Sequence, residues 1–99
     1  MKLTFNREKL VRFCRKRGIA RLELFGSAAG ENFRDDSDVD LLVEFREVPL
    51  MEYADNYFDL LFSLQNLFRR DVDLVTVKSL KNPVLIRVVN RTRIPVYTA

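Results

Sequence analysis

The sequence predicts an α+β sandwich: a small mixed β-sheet of about four strands, with helices packed mainly on one face. Two observations carry this expectation. Short apolar or alternating runs recur at 19–25, 37–45, 71–77 and 94–98, each bounded by turn or capping residues. Helical patterns occupy 7–17, Pro49 to about Phe68, and 83–90, giving the order α-β-(turn or short helix)-β-α-β-α-β. With 99 residues and no repeat, linker or low-complexity tract, one domain over 1–99 is expected. Its core can be only modest, because a chain this small buries roughly 60–65% of its unfolded surface.

Each element has a local cause. Asn6 is a good N-cap for the first helix, Glu8 suits the positive end of its dipole, and Gly18 stops it. Leu10, Val11, Phe13 and Cys14 form its apolar stripe. In "IARLELF" (19–25) the alternation points Ala20, Leu22 and Leu24 inward and Arg21 and Glu23 outward. "SDVDLLVEF" (37–45) is the second strand and "DVDLVTV" (71–77) the third. The helix after Pro49 is apolar over more than one face. Leu50, Ala54, Tyr57, Phe58, Leu61, Leu64 and Phe68 form one stripe, Tyr53, Leu60 and Leu67 a second, with Met51 and Phe62 further round. A surface helix needs an apolar stripe of only about 100°, so the excess either fills a small core or offers a docking surface. Asn82 and Pro83 open the short helix 83–90, and "IPVYT" (94–98) is an edge strand where Pro95 is tolerable.

Composition narrows the chemistry. Apolar content of 47% beside 31% charged residues reads as globular rather than disordered. The apolar stretches fall far short of the ~20 residues that span a bilayer, and the N-terminus lacks a signal-peptide core. One cysteine cannot form an internal disulfide, and a cytoplasmic location is expected. Cys14 lies among Arg12, Arg15 and Lys16, which could activate it, but helix packing is the simpler expectation. Histidine is absent, which excludes Ser-His-Asp and Cys-His catalysis and His-ligated zinc. Acid–base or metal chemistry must come mainly from carboxylates. The net charge of +3 is unevenly spread: residues 7–21 hold seven basic residues and one acid, residues 31–59 ten acids and two arginines. A basic amphipathic helix is usually a solvated face, so nucleic acid is not expected as a partner.

The informative stretch is "LELFGSAAGENFRDDSDVDLLVEF" (22–45), where Asp35, Asp36, Asp38 and Asp40 follow a Gly26-Ser27 turn. Side chains alternate along a strand, so Asp38 and Asp40 would share one face. Two adjacent carboxylates repel, and a hard divalent cation relieves that cost. "DVDLV" repeats the pattern, and Asp73 can join the pair if its strand lies alongside. Gly26 permits close backbone approach, and Ser27 would begin a short helix whose free N–H groups attract phosphate. Asp36, Asp38, Asp40 and Glu47 also match carboxylate positions of a calcium loop, but Leu41 stands where that loop needs glycine.

Gly26-Ser27, ten residues, then Asp38-Val39-Asp40 inside "VDLLV" resembles the nucleotidyltransferase superfamily related to DNA polymerase beta. The similarity is closest to its minimal prokaryotic members, antitoxins paired with HEPN-type toxins, and covers essentially the whole chain. The later "VDLV" matches the strand carrying that family's third carboxylate, at Asp73. The resemblance implies a nucleotidyltransferase-like fold and two Mg²⁺ ions on ATP, held by Asp38 and Asp40. Asp73 would share the second ion and deprotonate the acceptor, and Gly26 and Ser27 would hold the outgoing phosphates. It also implies transfer of AMP to a tyrosine hydroxyl of a HEPN-type toxin ribonuclease. The sequence departs from that pattern at Ala29-Gly30-Glu31, where members commonly carry a basic residue; Arg34, Arg69 and Arg70 are the candidates to compensate. No acceptor-binding domain is expected, so the acceptor is a macromolecule with its own surface, or the protein forms a homo-oligomer. The alternatives are an antitoxin acting by binding alone and nucleotidyl transfer to a small molecule.

Overall fold

The computed structural model describes residues 3–30, 33–34, 36–47 and 49–99. The elements are α1 (Arg7–Lys16), β1 (Ile19–Phe25), a 3-10 turn (Gly26–Ala29), β2 (Val39–Phe45), α2 (Leu50–Phe68), β3 (Val72–Thr76), a second 3-10 turn (Val77–Ser79), α3 (Pro83–Thr92) and β4 (Ile94–Thr98). The sheet order is β3-β2-β1-β4. β1 pairs antiparallel with β2 and with β4, whereas β2 and β3 are parallel, so the sheet is mixed as expected. The parallel pair needs a long crossover, and the 19-residue α2 supplies it.

The capping residues act as their types predict. Asn6 Oδ1 accepts from the Lys9 N–H at 3.1 Å, and Asn82 Oδ1 accepts from Val84 N–H at 2.9 Å and from Leu85 N–H at 3.4 Å. Gly18 stops α1 with φ +66°, so the helix ends at Lys16, with Arg17 as its cap. α3 runs two residues beyond the expected 90, because the Arg93 N–H still reaches the Val89 carbonyl at 2.8 Å.

Two layers cover the sheet. Leu10 and Cys14 of α1 and Leu60, Leu64 and Phe68 of α2 pack on Leu22, Leu24, Val39, Leu41, Val43 and Leu74. On the opposite face α3 sets Val89 over Phe25 and Leu42, with Val75, Val77, Leu80 and Leu85 around them. Strands covered on both sides read as unbroken apolar runs, which accounts for Leu41-Leu42-Val43. The second layer also corrects one expectation. Glu23 does not face solvent; it is 6% exposed, because α3 lies over its side of β1. Cys14 is fully buried, and burial pushes its thiol up to about 12 against the opposing pull of Arg17, so it is a packing residue.

α2 sorts its apolar residues differently from the expected stripes. Leu60, Leu64 and Phe68 are buried, and Tyr53, Tyr57, Leu61 and Leu67 partly so. Leu50 and Phe58, grouped by the helical pattern with Leu64 and Phe68, are 88% and 53% exposed, and Met51 and Phe62 are exposed with them. No helix among the described residues is long and apolar enough to cross a membrane.

Candidate active site

β2 and β3 bring the expected carboxylates together. In their parallel register Asp40 lies directly opposite Asp73, and across the antiparallel pair Asp40 faces Phe25. β2 begins at Val39, so Asp38 lies just ahead of the strand rather than within it. Likewise β3 begins at Val72, and the Asp71 carbonyl accepts from the Val39 N–H at 3.0 Å. Asp38 and Asp73 are exposed and Asp40 is half-buried. The Asp40 carboxyl is held above its ordinary range, first by burial, then by the charge of Asp73, then by that of Asp38. Among the described residues, no three Asp, Glu, Cys or His side chains already close into a ligand cage. The cluster is open, with oxygen donors only. That suits Mg²⁺, which keeps few protein ligands and completes its shell with water and substrate phosphates.

Gly26 brings the backbone against this cluster. Its φ is +67°, and a Cβ placed on it would lie 2.6 Å from Asp40 Oδ2. Only glycine meets both demands. Its N–H, however, donates to Thr92 Oγ1 at 2.8 Å, so that group is already committed. Ser27 is half-buried and is the second residue of a four-residue 3-10 turn, not the start of a helix with a developed dipole. Any attraction for phosphate at this turn must come from individual donors.

The segment leading into Asp38 is braced from α2's far end. Arg70 Nη1 donates to the carbonyls of Arg34 at 2.7 Å and Ser37 at 3.1 Å, and its guanidinium lies 4.3 Å from the centroid of the buried Phe33 ring. Arg34 N–H donates to Ser37 Oγ at 3.0 Å. Of the three arginines considered as phosphate partners, Arg70 holds this loop and Arg69 ends α2 in the left-handed conformation, with φ 54°. Asp35 and Glu31 lie outside the described residues.

Three contributors escape sequence reasoning. The carboxylate of Glu23 receives Arg93 at both oxygens, Nε at 3.1 Å among them, and this hydrogen bond is the main reason its carboxyl sits below the ordinary range. Thr92 anchors Gly26. Tyr57 donates its hydroxyl to the Leu74 carbonyl at 2.6 Å; burial and then the nearby Asp73 charge raise its phenol. An acid in an alternating strand and a threonine at a helix end carry no local mark of these partners.

The family described as "Polymerase beta, Nucleotidyltransferase" matches residues 8–99. A Methanocaldococcus jannaschii protein, provisionally named a protein adenylyltransferase, is 35% identical over 66% of this chain and 64% of its own. The protein adenylyltransferase MntA of Thermococcus cleftensis is 37% identical over 66% of this chain and 63% of its own. The chain thus spans somewhat under two thirds of these relatives' lengths. A solved structure, provisionally described as a minimal nucleotidyltransferase, is 37% identical, with a TM-score of 0.64 over 90% of this chain and 87% of that one. A toxin–antitoxin crystal structure with AMP-PNP shares the fold at 23% identity, with a TM-score of 0.69 over 95% of this chain and 74% of that one. With the match running through both aspartate-bearing strands, the chain belongs to the polymerase beta-type nucleotidyltransferase family.

Proposed function

We propose that this chain transfers AMP from ATP to a hydroxyl of a partner protein, a tyrosine of a HEPN-type toxin, and so acts as an antitoxin. The observation that carries this reading is Asp40 in register with Asp73, pressed against the left-handed Gly26. Like-charged carboxylates held together for no structural return are expected where a cation is to be bound. Asp38 and Asp40 would hold Mg²⁺ against the triphosphate, with Asp73 reaching the second ion. When bound, Mg²⁺ neutralises charge on the attacking and leaving oxygens of an in-line displacement. Gly26 leaves room for the Asp40 carboxylate, and Ser27 contacts the departing phosphates. Asp73, on the neighbouring strand and exposed, takes the acceptor's proton. The acceptor oxygen bonds to the α-phosphorus, the bond from that phosphorus to the bridging oxygen breaks, and pyrophosphate leaves.

A second reading, neutralisation by binding alone, is favoured by the altered turn sequence Ala29-Gly30-Glu31, which lacks the family's common basic residue. Both readings need a docking surface, for which the exposed face of α2 is suited. Met51, Phe58 and Phe62 stand in solvent among Glu52, Asp55 and Asp59, a surface fitted to an apolar, basic face of a protein partner. Labelled ATP and the purified toxin separate the two readings. Wild type is expected to transfer label and rescue toxicity. Asp73→Asn should bind nucleotide yet transfer about 10²–10⁴-fold more slowly, the range of a positioned general base. Full neutralisation by Asp73→Asn without label transfer would replace the catalytic reading with the binding one.

A further inference from the structure

We infer that Thr92, at the end of α3, is the positioning residue that sets the Gly26-Ser27 turn against Asp40. The functional arm of this inference rests on the nucleotide-binding reading above. The Thr92 hydroxyl donates to the Val88 carbonyl at 2.7 Å, so its proton is spoken for. What it offers Gly26 is therefore a lone pair, and the Gly26 N–H meets it at 2.8 Å. A hydroxyl held in this way has one orientation. The helix end that carries it is itself pinned, because the next residue, Arg93, grips Glu23 three positions upstream of Gly26 on β1. The Glu23 side chain is only 8% exposed, which makes this a firm second anchor. α3 thus holds β1 and the turn at two points, and the turn keeps its φ of +67° beside the Asp40 carboxylate. The same bond removes the Gly26 N–H from the donors available to a ligand. The phosphate-facing donors at this turn therefore begin at Ser27.

Thr92→Val keeps the shape and β-branching and removes only the hydroxyl. Thr92→Ser keeps the hydroxyl and removes the methyl. Two readouts are taken on the intact protein: hydrogen exchange of the Gly26 amide by NMR, and calorimetric titration with MgATP. The expected result is that Thr92→Val speeds Gly26 exchange and weakens MgATP binding, each by about fivefold to tenfold, the worth of one hydrogen bond. Thr92→Ser should stay within twofold of wild type in both. A general loss of packing would instead lower the melting temperature of both variants and spare neither. If Thr92→Val does not fold, Thr92→Ala is compared with Thr92→Ser in the same way. Unchanged Gly26 exchange in the hydroxyl-free variant overturns the inference. So does faster exchange with unchanged affinity, since the turn's position would then not matter to the nucleotide. If wild type binds no MgATP, the nucleotide reading fails by itself, while amide exchange still decides whether Thr92 holds the turn.

Discussion

Replacing Gly26 with alanine strains two things at once, and the structure separates their consequences. At φ +67° an L-residue pays about 1–2 kcal/mol for the left-handed conformation. For a domain of this size that corresponds to a fall in Tm of roughly 4–16 °C. The new Cβ would also lie 2.6 Å from Asp40 Oδ2, well inside contact distance. That oxygen ends a short side chain, so it can swing away, and the swing carries the carboxylate out of register with Asp73. Stability should therefore fall by about the left-handed penalty alone, while metal-dependent nucleotide binding falls by tenfold or more. Gly30→Ala is the internal control. Its φ is −125° and the nearest outside atom to an added Cβ is the Ser27 carbonyl oxygen at 4.0 Å. Alanine there should be neutral, or stabilising by about 0.4–1 kcal/mol through the unfolded chain. Urea unfolding and calorimetry on both variants provide the measurement. A Gly26→Ala protein with wild-type stability and wild-type MgATP affinity would refute the close-approach reasoning.

Asp40→Asn should stabilise the metal-free protein at neutral pH and abolish metal-dependent nucleotide binding. A carboxyl raised in the folded state contributes stability at low pH and loses it as pH rises through its folded value, so the variant also flattens that part of the stability curve. Glu23 has the opposite sign: its carboxyl is lowered by Arg93, so its contribution is present above the ordinary glutamate range and lost as pH falls through the folded value. Urea midpoints measured from pH 7 down to pH 3 should drop less steeply for Glu23→Gln than for wild type. Native Cys14 should resist maleimide at pH 7.5 and react fully in denaturant, and fast labelling of the folded protein would contradict its burial. Phe58→Asp with Phe62→Asp should leave Tm nearly unchanged while abolishing co-purification with the proposed toxin partner, whereas retained binding would move the docking surface off α2.

Much of the fold was legible because its signals are local. Asn6 and Asn82 mark helix starts through their side-chain oxygens, and Pro83 marks a start and Gly18 a stop through their backbones. The pairing of Asp40 with Asp73 needed only that their strands lie side by side. What was missed depends on residues distant in sequence. β2 begins later than the pattern suggested because Arg34 and Ser37 close a local turn ahead of it, and Arg70, 36 and 33 residues away, donates to the carbonyls of both. Glu23 looked solvent-facing because alternation cannot report a helix laid over the second face. Its partner Arg93 lies 70 residues downstream. The form of the 3-10 turn Gly26–Ala29 is not legible locally, since Gly-Ser followed by two alanines fits a turn or a short helix. The exposed face of α2 is a matter of degree: composition announces more apolar residues than one stripe needs, but not which of them remain in water.

The bond between Gly26 and Thr92 joins positions 66 apart, and this has a consequence for how the molecule is made. Both aspartate strands have been synthesised once Thr76 is in the chain. The residue that pins the turn ahead of β2 follows sixteen positions later. At about 5–20 residues per second, a growing chain spends on the order of a second with its carboxylates made and its turn unfastened. Closing so long a loop also carries an entropy cost that short-range pairing avoids. During that interval the aspartates can begin to gather by strand pairing, but the cradle beside them has no fixed shape. Competence for nucleotide would then be gained abruptly, when α3 folds back across β1, rather than gradually as the sheet grows.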